Sequence, residues 1–199
     1  MGLTSEQVHW IFGAVLIAVA VLLILRDTGR IAGRWIDYLL PLLLAAFGLE
    51  MLLDPLVHGD AAPANYAAET AQHFGLGLLL IAASAAEFLR TRRGGSGRLW
   101  RLPLAAAMAI AAVIFWVHAQ HDSAAPMILL MTQHRMIAAT LAVAAVAALL
   151  VGPEQRGSGQ PPPAISFLML LLGVQLLIYT EGSSLFGRLS PAAHPGHRP

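Results

Sequence analysis

Long apolar runs recur along the whole chain, and short polar stretches rich in Gly, Pro, Asp and Arg separate them. Each run is close to the ~20 residues that a helix needs to cross a hydrocarbon core of ~30 Å. The pattern predicts an all-α membrane bundle of six transmembrane helices, near residues 5–26, 35–57, 64–90, 99–121, 125–151 and 164–181.

These helices form one predicted transmembrane domain over residues 1–189, followed by a Pro-rich tail, 190–199, that we expect to be disordered. Thr4 and Gln7 have the spacing of a capping box at the start of the first helix.

The composition agrees with a membrane protein, since 57% of the residues are hydrophobic and only 12% are charged. A soluble domain carries about twice that share of charge. The absence of cysteine excludes disulfides, thiolate zinc sites and iron–sulfur clusters. All twelve basic residues are Arg, and Ala, Leu and Gly are abundant, which indicates a GC-rich bacterial genome. We therefore expect a multi-pass protein of a bacterial inner membrane.

The arginines are distributed unevenly between the predicted loops, and this bias predicts the orientation. Nine lie in or beside the loops that follow the first, third and fifth helices: Arg26, Arg30, Arg34, Arg90, Arg92, Arg93, Arg98, Arg101 and Arg156. Only Arg135, Arg188 and Arg198 lie on the opposite side. The positive-inside rule places the arginine-rich loops in the cytoplasm and both termini outside. The basic run near Arg92 is thus interpreted as a topology signal, and we expect no nucleic-acid partner.

The odd-numbered helices resemble one another. Each carries one histidine at a similar depth, at His9, His73 and His134, and the last two follow a glutamine. The even helices resemble one another less. The simplest arrangement is three helix hairpins, 5–57, 64–121 and 125–181, that repeat in parallel about an axis along the membrane normal.

Polar side chains recur at helical spacing on five helices, all towards the predicted outer side. In the second helix Glu50, Asp54 and His58 step by four, and in the sixth Gln175 and Tyr179 do the same. Ionisable groups within a membrane are costly and mark sites or pathways. The candidate metal ligands are His73, His118, His121, His134, His58, His9, Met127, Met131, Glu50, Asp54 and Glu69.

Four of these histidines, His73, His118, His121 and His134, are expected to converge near the outer boundary of the bilayer. Carboxylates from Glu50, Asp54 or Glu69 would lie behind some of them and fix the imidazole tautomers. Met127 and Met131 would form an entry path for Cu(I), because thioether sulfur is a soft ligand.

Several ligands suit such a cluster. Imidazole binds copper and zinc, and the nearby methionines favour copper. The first hypothesis is a copper-binding membrane protein acting in transport or periplasmic delivery, with a periplasmic metallochaperone or redox partner. The alternative is an electron carrier with haem b held between two histidines. A second alternative is a membrane metalloenzyme, in which Glu50 or Asp54 stands beside a metal-activated water.

The segments His118-Ala119-Gln120-His121-Asp122 and Gln133-His134-Arg135, with the nearby methionines, resemble those of bacterial copper-handling membrane proteins of the CopD type. Those proteins are polytopic and carry His and Met near the periplasmic ends of their helices. The resemblance implies copper uptake or periplasmic copper delivery. This chain is shorter, with fewer predicted helices.

Overall fold

The computed structural model describes residues 4–57, 66–95, 97–118, 127–150 and 163–180. These residues form six α-helices and two short 3-10 helices, with no strand among them. The helices are α1 (Ser5–Asp27), α2 (Leu39–Val57), α3 (Tyr66–Arg93), α4 (Leu102–Trp116), α5 (Met127–Leu150) and α6 (Pro163–Leu177). The 3-10 helices, Arg34–Tyr38 and Arg98–Trp100, precede α2 and α4. The tail 190–199 lies outside the described residues.

Four helical segments are long and apolar enough to cross a membrane: Ser5–Asp27, Arg34–Leu53, Ala67–Arg93 and Ile128–Leu150. The chain is therefore a helical protein with the character of a multi-pass membrane protein. The helices α4 and α6 are also apolar but have 15 residues each, or about 22 Å at ~1.5 Å per residue. The helix α4 ends at Trp116, five residues before its predicted end.

Local signals at α1 explain where this helix begins and ends. The Gln7 amide N–H donates to Thr4 Oγ1 at 3.3 Å, and the Thr4 N–H donates to Gln7 Oε1 at 3.0 Å, which confirms the predicted capping box. At the other end Gly29 has a φ of +73°, a left-handed conformation that favours glycine and stops the helix.

Each helix packs most extensively on one neighbour: α1 on α6, α2 on α3, and α4 on α5. Narrower contacts join α3 to α4 and α5 to α6, and the narrowest joins α1 to α2. The six helices thus follow one another around a ring in chain order. The three extensive contacts alternate with the three narrow ones.

Small residues allow the backbones in the extensive contacts to approach closely. A Cβ atom added at Gly77 would lie 2.8 Å from the Gly48 carbonyl oxygen, between α3 and α2. One added at Gly13 would lie 2.8 Å from the Gly173 carbonyl oxygen, between α1 and α6. The helices of the third extensive contact, α4 and α5, bury alanines instead: Ala105, Ala107, Ala111, Ala112, Ala138, Ala144, Ala145 and Ala148. Such close approach is a general means of packing helices in membranes.

The two ends of the helix bundle differ in their side chains. The histidine end is defined by His9, His73, His118 and His134, and the arginine end by Arg26 and Arg90. The buried apolar cluster lies in the half near the arginine end and draws on five helices: Leu16, Ala20, Leu23, Ile36, Leu40, Leu43, Leu104, Ala105, Ala144, Ala148, Ile165 and Met169.

Proline in α2 is accommodated by a neighbouring helix. Pro41 has no amide N–H, so the carbonyl of Asp37, four residues earlier, loses its helical donor. The Thr91 hydroxyl on α3 donates to that Asp37 oxygen at 3.5 Å, and the Ser84 hydroxyl donates to Pro41 O at 2.7 Å. The Thr91 hydroxyl thus replaces the missing backbone donor, and the Ser84 hydroxyl adds a second bond between α3 and α2.

Candidate metal centre at the histidine end

One group of three ligand-bearing side chains occurs where α3 meets the end of α4. Glu69 and His73 stand one turn apart near the start of α3, and His118 follows α4. One ligand atom from each of the three lies within 4.8 Å of the other two. All three side chains are half-buried. Two of the possible ligands are therefore fixed by α3 and the third by the residues just after α4.

Aromatic stacking orders the imidazoles around this group. The ring centroids of His73 and His118 are 5.6 Å apart, and the two planes differ by 11°. The His118 and His134 centroids are 4.8 Å apart with planes that differ by 21°. Phe115 on α4 contacts both, at 6.3 Å from His118 and 5.9 Å from His134. Side chains of α3, α4 and α5 thus form one continuous set of rings.

The rings continue through Tyr179 to α1. The Tyr179 ring lies edge-on to His134 with centroids 5.7 Å apart, and it stacks on His9 at 3.8 Å. The Trp10 indole N–H donates to the Tyr179 carbonyl oxygen at 2.8 Å, and the Thr180 hydroxyl donates to Glu6 Oε1 at 2.8 Å. These contacts hold the end of α6 against the start of α1.

Hydrogen bonds assign the tautomers of two histidines. His134 Nδ1 is 2.9 Å from Leu130 O, and His9 Nδ1 is 2.8 Å from Ser5 O. A carbonyl oxygen only accepts, so Nδ1 carries the proton and the lone pair of the neutral ring is on Nε2. This is the usual way in which a protein prepares an imidazole as a metal ligand.

The glutamines that precede His73 and His134 connect helices. Gln72 Nε2 donates to Val117 O, just beyond α4, at 3.2 Å. Gln133 Nε2 donates to Thr180 O at 3.2 Å, and the Thr180 N–H donates to Gln133 Oε1 at 3.3 Å. In each case the glutamine binds backbone beyond the helix that follows its own. The shared Gln-His pair therefore has one structural and one site-facing member.

The predicted site residues divide into three sets. The structure brings together Glu69, His73 and His118, with His134 stacked on His118 and His9 further along the same rings. Glu50 is half-buried on α2 and lies outside the three-residue group, and Met131 is 37% exposed on α5. His58 and His121, and the side chains of Asp54 and Met127, lie outside the part of the chain that the structure describes.

Sequence reasoning put Tyr179 on a polar stripe but did not include it among the site residues. Its place between His9 and His134 comes from the contact of α6 with α1. Comparison of the chain with models of known protein families, with curated proteins and with solved structures found no match.

Proposed function

We propose that this protein binds a transition-metal ion, with copper as the first candidate, and acts in metal transport or in delivery to a periplasmic metallochaperone or redox partner. The observation that carries the proposal is the group of Glu69, His73 and His118, whose ligand atoms lie within 4.8 Å of one another. Ligand atoms held at ~2.0–2.2 Å from one ion lie no more than about 4.4 Å apart, so small side-chain shifts would bring these three atoms around a common ion.

The donor set narrows the choice of ion. One carboxylate and two imidazoles suit Cu(II) and Zn(II), whereas Cu(I) prefers thioether or thiolate sulfur. Met131 lies on α5 three residues before His134 and is 37% exposed. In this proposal the methionines serve at most as an entry path, and the ion at the group of three is Cu(II), with zinc as its competitor.

Ring orientation favours an ion over haem b. An axial imidazole presents a nitrogen to iron, and a pair of them must stand on opposite faces of the macrocycle. His73 and His118 present their faces to each other, as do His118 and His134, with centroids 5.6 Å and 4.8 Å apart. A macrocycle inserted between either pair would require these rings to separate.

The number of ligands favours one alternative, a metalloenzyme. Catalytic zinc sites hold three protein ligands and leave a fourth position for water, which the metal activates. Glu69, His73 and His118 supply three such ligands. Zinc at the site with an exchangeable water would therefore favour hydrolysis over delivery.

We also propose six transmembrane spans in three parallel hairpins, with both termini and the histidine end on the periplasmic side of a bacterial inner membrane. The positive-inside rule supports this orientation, since nine of twelve arginines are at the other side. The narrow contacts lie within the hairpins and the extensive contacts join neighbouring hairpins, and this threefold alternation supports the repeat.

Metal content tests the function. The full chain, purified in detergent and dialysed with Cu(II) or Zn(II), is expected to hold one ion at the group by elemental analysis. His118→Ala should lose it, and His9→Ala, which removes a ring outside the group of three, should keep it. An unchanged ion count in folded His73→Ala/His118→Ala protein would refute the proposal, and a Soret band in the untreated protein would favour haem.

Single cysteines test the orientation, because the chain has no cysteine of its own. A membrane-impermeant thiol reagent added to spheroplasts should label Ser123→Cys and leave Gly95→Cys unlabelled. Labelling of Gly95→Cys alone would reverse the orientation and place the histidine end in the cytoplasm.

A further inference from the structure

We propose that the metal site formed by Glu69, His73 and His118 is one of three equivalent positions around the bundle, and that Leu130 and Tyr179 prevent the third position from holding an ion. This inference rests on the proposed metal binding. It assigns the two residues that determine where the ion binds.

The repeat has a fixed register in the sequence. His73 lies 64 residues after His9, and His134 lies 61 residues after His73. The buried arginines at the other end keep the first offset, since Arg90 lies 64 residues after Arg26. One alignment therefore covers the whole length of the odd helices.

The same offsets relate the small residues that join the helices. Gly13, Gly77 and Ala138 share one register position on the odd helices, and Gly48, Ala112 and Gly173 share another on the even helices. The four glycines make two close backbone approaches, and both alanines are buried in the helices that form the third extensive contact. Equivalent sequence positions thus have equivalent packing roles in all three hairpins.

The site residues obey the register as well. The 61-residue offset relates Glu69 to Leu130, His73 to His134, and His118 to Tyr179. The His73 and His118 centroids are 5.6 Å apart, and those of His134 and Tyr179 are 5.7 Å apart. The third hairpin therefore keeps the distance between the two rings but changes the angle between their planes from 11° to 87°, and it replaces two of the three ligands.

Contacts between hairpins repeat in the same way. His118 of the second hairpin stacks on His134 of the third at 4.8 Å, and Tyr179 of the third stacks on His9 of the first at 3.8 Å. At both of these junctions the odd-helix ring meets the even-helix ring of the preceding hairpin. In the first hairpin the register gives Ser5, His9 and Asp54, of which the Asp54 side chain lies outside the described residues.

The two replacements explain why the third position differs chemically. Leucine has no donor atom, and a tyrosine phenol with a pKa near ~10 in water stays protonated at neutral pH, so it ligates poorly beside imidazole. The His134 ring keeps a fixed orientation, because its Nδ1–H donates a hydrogen bond to the backbone oxygen of Leu130. That oxygen is unaffected by a change of the Leu130 side chain, so two substitutions would restore the donor set.

The test is a gain of binding in the double variant Leu130→Glu/Tyr179→His. Full-length wild-type and variant proteins are purified in detergent and dialysed against Zn(II), and the ions per chain are counted by elemental analysis. The variant should hold one ion more than the wild type. Adding His134→Ala should remove the gain, and the mirror variant Glu69→Leu/His118→Tyr should hold one ion fewer than the wild type.

The result depends on the difference in ions per chain between the variant and the wild type, whatever number the wild type holds. Equal counts in folded protein would overturn the inference. A wild type with no ion and a double variant with one would refute the proposed function while supporting the third position.

Leu130 is 1% exposed, so a glutamate there carries a risk of misfolding. Tyr179→His alone keeps the leucine and supplies a second imidazole next to His134. We expect the affinity of Tyr179→His for the additional Zn(II) to be at least tenfold lower than that of the double variant. No additional binding at millimolar Zn(II) in folded Tyr179→His protein would overturn the inference.

Discussion

At the two ends of the bundle, carboxylates lie beside different basic side chains. At the arginine end Arg26 Nη2 is 2.8 Å from Asp27 Oδ1, Arg26 Nη1 is 2.8 Å from Asp37 Oδ1, and Arg90 Nη2 is 2.7 Å from Glu87 Oε2. At the histidine end the Glu69 carboxylate is grouped with imidazoles instead.

The difference separates a structural pair from a ligand set. A guanidinium is always charged and neutralises its carboxylate permanently. An imidazole is neutral for part of the physiological pH range and then has a lone pair for a metal. Charged residues occur at both ends, but among the described residues a carboxylate grouped with imidazole nitrogens is found at the histidine end.

The two halves of the bundle also differ in the side chains that fill their interiors. Near the histidine end the described helices contribute aromatic and imidazole rings, whereas the half near the arginine end is filled by a buried apolar cluster from five helices. An ion that left the group of three towards the arginine end would meet this cluster. Within the proposed function, this arrangement supports binding and release at the histidine end over passage across the bundle.

The largest expected effect is at the arginine end. Arg90→Ala would leave Glu87, which is 1% exposed, as a buried carboxylate without its guanidinium. Removing one member of a buried pair costs about 3–5 kcal/mol, so unfolding in detergent should show a loss of stability of this size. The ion count should stay unchanged. The exposed neighbour Arg92→Ala should change stability by less than about 0.5 kcal/mol. Loss of the ion in folded Arg90→Ala protein would contradict the division between the two ends.

A smaller effect is expected where α2 and α3 meet. A methyl group at Gly77 would lie 2.8 Å from the Gly48 carbonyl oxygen, so Gly77→Ala must push the helices apart. Such overpacking costs about 1–3 kcal/mol. Because α3 carries Glu69 and His73, metal affinity should fall as well. Thermal unfolding and Zn(II) titration would measure both effects.

Gly75→Ala is the matched control, since no other group lies within 4 Å of a methyl at that position. It should stabilise α3 by about 0.5–1 kcal/mol, the usual difference between alanine and glycine within a helix. Equal losses in the two variants would mean that the close approach of α2 and α3 has no energetic role.

Patterns of apolar and polar residues predicted the six helices, and local spacing predicted the capping box of α1. The end of α4 was predicted less well, because the apolar character of the sequence continues past Trp116 and hydropathy does not report hydrogen bonding. His73, His118 and His134 all lie towards the predicted outer ends of their helices, so their shared level in the bundle could be inferred from the sequence. Depth follows from position along a helix, and position is readable from sequence.

The choice between Glu50 and Glu69 could not be inferred. Both are four residues from a ligand candidate on their own helices, and only the rotation of α3 against α4 places Glu69 with His118. That rotation depends on packing along the whole helix. Tyr179 was missed for a related reason, since its position depends on α6 lying beside α1 and the search was for metal ligands.

The smallest expected effect separates the members of the Gln-His pair. Gln72→Ala removes a hydrogen bond to Val117 O, and Gln133→Ala removes the bonds to the backbone of Thr180. Each change should lower the free energy of unfolding by about 1 kcal/mol, the typical net value of a hydrogen bond. The ion count should remain that of the wild type in both.

His73→Ala should behave in the opposite way. It should lose the ion, and its free energy of unfolding in the absence of metal should change little. Thr132→Ala is the control for Gln133, because Thr132 is exposed and its hydroxyl donates only within its own helix, to Ile128 O at 2.7 Å, among the bonds described. Denaturant unfolding and elemental analysis of the same samples would compare the variants. If Gln72→Ala released the ion while folded, the glutamine would belong to the site, and the assignment of one structural and one ligating residue to each pair would be wrong.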